Sequence, residues 1–157
     1  MAVRPAMATV SAGEPVASDD EVDAVFAASR ALVTLSARSI ASVDGVTMPQ
    51  YRMLVVLSDG ASNLTALARN LDVAPSTAMR MIDRLVAGGL VVREPAPQSR
   101  RETRLSLTTE GRRTVRTVTQ RRRRDIRRVL FRLDAAERQE LLRSMSTFAE
   151  AAEQTLA

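Results

Sequence analysis

The chain has 157 residues, 45% of them apolar and 26% charged, which suits a single domain with a sizeable core and excludes wholesale disorder. It contains no Cys and no His, which removes disulfides, thiol redox sensing, ordinary zinc ligand sets and histidine acid–base chemistry; with no close carboxylate pair in an apolar or glycine-rich setting, neither an enzyme nor a metal nor a cofactor is expected. The formal charge is +5 and all 23 basic residues are Arg, a bias that most simply reflects GC-rich coding but still furnishes a surface that attracts nucleic acid.

Residues 1–17 are rich in Ala, Val, Pro and Gly without period and read as a mobile tail, not as a signal peptide. No apolar run approaches the ~18 residues of a membrane span, so a cytoplasmic protein with no membrane partner is expected. Ser18 followed by three acids marks a helix start. A helix running from there to about Val43 aligns Val22, Val25, Phe26, Ser29, Leu32, Val33, Ser36 and Ile40 in one stripe. Thr47 and Gln50 have the spacing of a capping box for a second helix, which carries Tyr51, Leu54, Val55 and Leu57 and stops at Ser58-Asp59-Gly60.

Leu64, Leu67, Ala68 and Leu71 then repeat at helical spacing, Asp72-Val73-Ala74 breaks the period, and Pro75 opens another helix where its missing N–H costs nothing. That helix buries Ala78, Met81, Ile82 and Leu85. Its opposite face carries Ser76, Thr77, Met79, Arg80, Asp83 and Arg84, a short polar and cationic surface of the kind that enters a DNA major groove. Two helices joined by so short a turn form a helix-turn-helix. Gly88-Gly89 ends the second, residues 90–94 read as a strand, and residues 103–107 alternate as its return. Between them Pro95 and Pro97 argue for a projecting loop, because proline does not fit a central strand. A helix-turn-helix followed at once by a hairpin is a winged helix.

Thr108 starts a long helix crowded with arginines, and Asp134 to Glu137 starts a last helix with a packing stripe of Leu141, Met145, Phe148, Ala152 and Leu156. The fold class is therefore mainly α with a small β-hairpin wing: a winged helix-turn-helix plus N- and C-terminal dimerisation helices. The expected organisation is a tail over 1–17, a DNA-binding domain over 46–107, and a helical dimerisation region built from 18–45 and 108–157. The first and last helices have apolar faces that the DNA-reading unit does not cover, so they pack together and against a second copy, or else close a monomeric core.

Thr47-Met48-Pro49-Gln50-Tyr51, Leu67-Ala68, Pro75-Ser76-Thr77, Asp83-Arg84-Leu85, Gly89-Leu90-Val91 and Leu107-Thr108-Thr109-Glu110-Gly111, in this order and spacing, resemble the MarR family of transcriptional regulators. The resemblance covers nearly the whole chain beyond the tail. It implies a dimeric regulator, most often a repressor, that binds a pseudo-palindromic operator on double-stranded DNA and in many members responds to a small aromatic or anionic effector. Two positions depart from the pattern. Ala74 stands where the family usually caps the recognition helix, and Ser99-Arg100-Arg101 replaces the usual Asp-x-Arg of the wing.

In this reading Ser76, Thr77 and Arg80 face base edges, with Arg80 suited to a bidentate guanine contact. Arg84, Arg69 and Arg112 hold phosphates and fix register. Arg101, with Arg100 beside it, enters or skirts the minor groove, where negative potential favours guanidinium. Most arginines of the long helix form a solvated face. Arg122 is the exception, falling between Val118 and Ile126 in the apolar stripe; a structural ion pair with an acid such as Asp23, Glu140 or Glu150 is expected there, an anion-binding role being the alternative. The ligand pocket is unknown from sequence. The competing reading is a winged-helix protein-interaction module without sequence-specific DNA binding, which would show apolar anchors where this chain shows arginine.

Overall fold

The computed structural model describes residues 17–60, 63–96 and 99–156, apart from the side chains at 96, 99–102 and 156; the expected tail lies outside this range except for Ala17. The chain order is α1 (Asp19–Ile40), α2 (Met48–Ser58), α3 (Leu64–Leu71), α4 (Pro75–Ala87), β1 (Val91–Ala96), β2 (Ser99–Leu107), α5 (Thr109–Leu130) and α6 (Ala135–Leu156). This is the mainly α winged-helix architecture expected.

Most helices begin on a local cap three residues long. Ser18 opens α1: its amide donates to Glu21 at 2.7 Å, and the Glu21 amide donates back to Ser18 Oγ at 3.3 Å. Donation from the amide and then the hydroxyl of Ser18 holds the Glu21 carboxyl below its usual range. Thr47 and Gln50 form the expected capping box of α2, and Asp134 and Glu137 exchange equivalent bonds before α6. α3 is capped by Asn63, whose Oδ1 accepts from the Ala66 amide at 2.8 Å. α1 stops at Ile40, earlier than the expected Val43. Ser42 donates to the Ser39 carbonyl at 2.6 Å, taking an acceptor that a continuing helix would use, and Gly45 then turns the chain at positive φ.

The described chain groups into two compact units, one ending at Val33 and the other starting at Thr34. In the second unit, Met53, Leu54 and Leu57 of α2, Leu67 and Leu71 of α3, Ala78, Ile82 and Leu85 of α4, and Val91, Leu105 and Leu107 of the hairpin form one buried cluster. A smaller cluster joins Ile40, Tyr51 and Val118, and the Tyr51 hydroxyl meets Thr119 Oγ1 at 3.0 Å, tying α2 to α5. The core of the winged helix thus sits beneath α4, and α5 leaves from its edge.

β1 and β2 pair antiparallel with Val91 opposite Leu107 and Arg93 opposite Leu105. The strands are longer than expected. Pro95 lies inside β1, opposite Thr103, and a register shift follows immediately between Pro95 and Ala96. The expectation of a loop from Pro95 onward is corrected here: in a two-stranded ribbon every strand is an edge, and a bulge absorbs a residue that lacks a donor.

Candidate nucleic-acid interface

The turn between α3 and α4 is tight because Asp72 adopts a left-handed conformation at φ 52 while the Val73 amide returns to the Ala68 carbonyl at 3.0 Å. Pro75 then starts α4. Ala74 has extended backbone geometry but no side-chain cap, the departure noted in the sequence. Ala78, Ile82 and Leu85 are buried and lock one face of α4 into the core, and Met81 is half-buried beside them. The helical period consequently turns Ser76, Arg80, Asp83 and Arg84 outward, all exposed, with Thr77 half-buried. These expected groups share one helix and one outward direction.

Asp83 is not a free acid on that face. Arg93 of β1 reaches it, Nη2 to Oδ1 at 2.5 Å, and also lies 3.5 Å from the Met79 sulfur. The pair is partly exposed and by itself contributes only about 0.2 to 1 kcal/mol, but it neutralises the acid between Arg80 and Arg84 and ties the wing to α4. Sequence reasoning missed Arg93. The signal was present in strand alternation: Val91 faces the core, so Arg93, two residues on, faces the helices as well.

Arg69 is exposed near the end of α3. Arg112 is exposed in the first turn of α5 and donates from Nη1 to the Leu107 carbonyl at 2.6 Å, which fixes its guanidinium at the base of the wing. There it shares a hollow of about 200 Å³ with Ser58 of α2 and Arg104 and Ser106 of β2. Arg104 is a second cation at this place that the sequence reading did not single out. Arg100 and Arg101 belong to β2, but their side chains lie outside the described residues. Along α5, Arg113 pairs with Glu110 at 3.5 Å and Arg128 with Asp125 at 3.4 Å. Arg122 is half-buried, and among the described residues of the chain no acid lies within salt-bridge reach of it.

A second hollow, of about 330 Å³, lies between the helix-turn-helix and the hairpin, lined by Leu64, Met79, Ile82, Asp83 and Arg93. No group of three or more acidic residues among the described residues is placed to hold a metal ion. No described helix is long and apolar enough to cross a membrane.

This arrangement is shared with known proteins. Residues 44–102 match the model of the MarR family. A Thauera aromatica protein named as a candidate transcriptional regulatory protein for the hcr operon is 36% identical over 76 residues, 48% of this chain and 46% of its own length. The chain thus spans about half the length of that curated relative, and 63% of the length of others that it matches. The crystal structure of RV1404 from Mycobacterium tuberculosis is 46% identical and superposes with a TM-score of 0.80 over 94% of this chain and 98% of that one. A mutant of S. aureus MepR, solved bound to an oligodeoxyribonucleotide, shares the fold at 18% identity, with a TM-score of 0.64 over 83% of this chain and 96% of that one. A winged helix with a cationic α4 face, the family match across it and a close structural relative along nearly its whole length lead to one conclusion: the chain belongs to the MarR family of transcriptional regulators.

Proposed function

We propose that the protein is a dimeric, sequence-specific DNA-binding regulator, acting in the cytoplasm as a repressor at a pseudo-palindromic operator on double-stranded DNA. The observation that carries this reading is the outward face of α4, where Ser76, Arg80 and Arg84 are exposed while Asp83 is neutralised by Arg93. Ser76, Thr77 and Arg80 read base edges in the major groove. Arg69, Arg84 and Arg112 hold phosphates, and Arg100 and Arg101 of the wing engage the minor groove. A MepR mutant of the same fold was solved bound to an oligodeoxyribonucleotide, which supports DNA as the ligand in this reading. Among the described residues Met79 is the one large apolar side chain exposed on α4, too little for the anchor set that a protein-interaction face would need.

Dimerisation is supported by uncovered apolar surface. Among its described residues α6 has no buried position, and Leu142 and Phe148 are 60% and 51% exposed; Phe131, just past α5, is 86% exposed. α1 likewise leaves Val25 and Phe26 exposed. Single exposed apolar residues are ordinary, but a long helix with no buried position among its described residues is not. A second copy covers these faces and supplies the carboxylate for the half-buried Arg122. Release by a small aromatic or anionic ligand completes the proposal. The hollow beside Arg93 falls in the volume range of small-molecule sites, and an aromatic carboxylate bound there would compete with Asp83 for the guanidinium.

Binding-site selection from a random duplex library, paired with sedimentation of the full chain, tests the core of the proposal. The expected result is a dimer that selects two inverted half-sites whose centres lie about one helical turn apart, ~34 Å. A monomer at micromolar concentration that protects a single half-site would overturn it.

A further inference from the structure

The first turn of α5 is fitted into the bend that follows the recognition helix. Gly88-Gly89-Leu90 leaves α4 with Gly89 at φ +68, and the Leu90 amide returns to the Leu85 carbonyl at 2.9 Å. Thr108 closes on this bend twice: its amide donates to the Leu90 carbonyl at 3.0 Å and its hydroxyl donates to the Gly89 carbonyl at 2.7 Å. The same hydroxyl accepts from the Gly111 amide at 3.0 Å, so the cap of α5 and the latch onto the bend are one atom. Gly111 is helical and needs no unusual φ. It is glycine for space: a Cβ there would lie 2.1 Å from the Leu90 carbonyl oxygen, a backbone atom that has no side-chain rotation to escape by.

α5 is held at a second point by Thr119 against Tyr51, with Val118 fully buried beside it. Two attachments give the helix a direction relative to the winged helix. Its far end carries Val129, 50% exposed, and leads into Phe131, among the apolar groups assigned above to the dimer contact.

We propose that the Thr108–Gly111 junction is a positioning element that fixes the angle between the recognition helix and α5, and thereby sets the half-site spacing that the dimer accepts. The inference rests on the dimeric DNA-binding reading. The magnitude follows from helix geometry. Relieving the Gly111 overlap needs a movement of about 1 Å at a point about 12 Å from the Thr119 attachment, a tilt of roughly 5°. Carried about 17 Å farther to the end of α5, the tilt moves the dimer contact by about 1.5 Å. Two-fold symmetry doubles this to about 3 Å between recognition helices, close to the ~3.4 Å rise of one base pair.

The test is selection from a library of two fixed half-sites separated by spacers of varied length, run on the full chain and on Gly111→Ala, Thr108→Val and Thr108→Ser. Gly111→Ala should move the preferred spacing by about one base pair while the bases chosen in each half-site stay the same. Thr108→Val puts a methyl group where the hydroxyl lies 2.7 Å from the Gly89 carbonyl oxygen, so it loses both the latch and the cap and shifts by only a few tenths of an ångström, which keeps the inference testable if the alanine variant fails to fold. It should reduce discrimination between adjacent spacings at least threefold, and Thr108→Ser, which retains the hydroxyl, should restore it. A merely structural role would lower affinity at every spacing alike. Unchanged spacing preference in Thr108→Val, or in a folded Gly111→Ala, would overturn the inference while leaving the dimeric reading intact. A parent protein that selects no paired half-sites would overturn both.

Discussion

Ala74→Ser is expected to stabilise the protein, because it supplies the one cap that the recognition helix lacks. Ala74 stands at φ -60, ψ 142, in the same extended region as Thr108 at φ -69, ψ 174, whose hydroxyl does cap the next helix. Ala74 is exposed, so the added oxygen costs no buried volume. The Thr77 amide already donates to the Ala74 carbonyl at 2.9 Å, so a serine Oγ at this position accepts from the amide of Ser76, and a gained N-cap contributes about 0.5 to 2 kcal/mol. The ψ at Ala74 is less extended than at Thr47, Asn63 or Thr108. The lower half of that range is therefore appropriate, about 0.5 to 1 kcal/mol. In a chain of this length that corresponds to a rise of roughly 1 to 4 °C in Tm, or a higher urea midpoint at unchanged slope. Protein concentration must be matched between variants, since association shifts apparent stability. Asn63→Ala is the internal standard. It removes a 2.8 Å cap bond from the adjacent helix and should lower stability by about 1 kcal/mol. If Ala74→Ser is neutral or destabilising while Asn63→Ala behaves as expected, the account of the α4 N-terminus is wrong.

Arg80→Ala should weaken binding to the selected operator by about 1 to 3 kcal/mol and relax preference at one base pair, whereas Arg112→Ala should weaken all sequences alike and lower the salt slope by about 1; an unchanged consensus from the Arg80 variant refutes its assignment. Arg93→Ala should lower operator affinity although Arg93 is assigned no DNA contact, because it re-exposes the Asp83 carboxylate between Arg80 and Arg84; the double variant with Asp83→Asn should recover most of the loss, and failure to recover would assign Arg93 another role. Arg122→Ala should raise the dimer dissociation constant measured by sedimentation, while Arg123→Ala, exposed on the same helix, should not; equal behaviour would mean that Arg122 is solvated.

What the amino-acid order determined by itself was mostly local. Ser18, Thr47, Thr108 and Asp134 each cap a helix through a bond to a residue three positions on, and such bonds are readable because donor and acceptor are close in the chain. The helix-turn-helix was legible for the same reason, since the buried faces of α3 and α4 repeat at helical spacing and Pro75 marks the start of the second helix. Asn63 was equally local and was overlooked only because no acid or glutamine follows it to complete a box. The MarR resemblance rested on these pieces in their order.

Tertiary structure decided what depends on residues far apart. Pro95 reads as a loop former until β2 pairs against it with a bulge. Tyr51 reads as an ordinary core residue until Thr119, 68 positions away, supplies its partner. Asp83 reads as an open acid on the DNA face until Arg93 arrives from the wing. Gly111 reads as one more helix residue until the Leu90 carbonyl fills the space beside it. Periodicity shows which face of a helix is apolar, and it is silent on what covers that face or stands next to it. A side chain's neighbours across the fold are set by packing of the whole chain, where contacts between distant residues must repay the entropy of closing the loops between them.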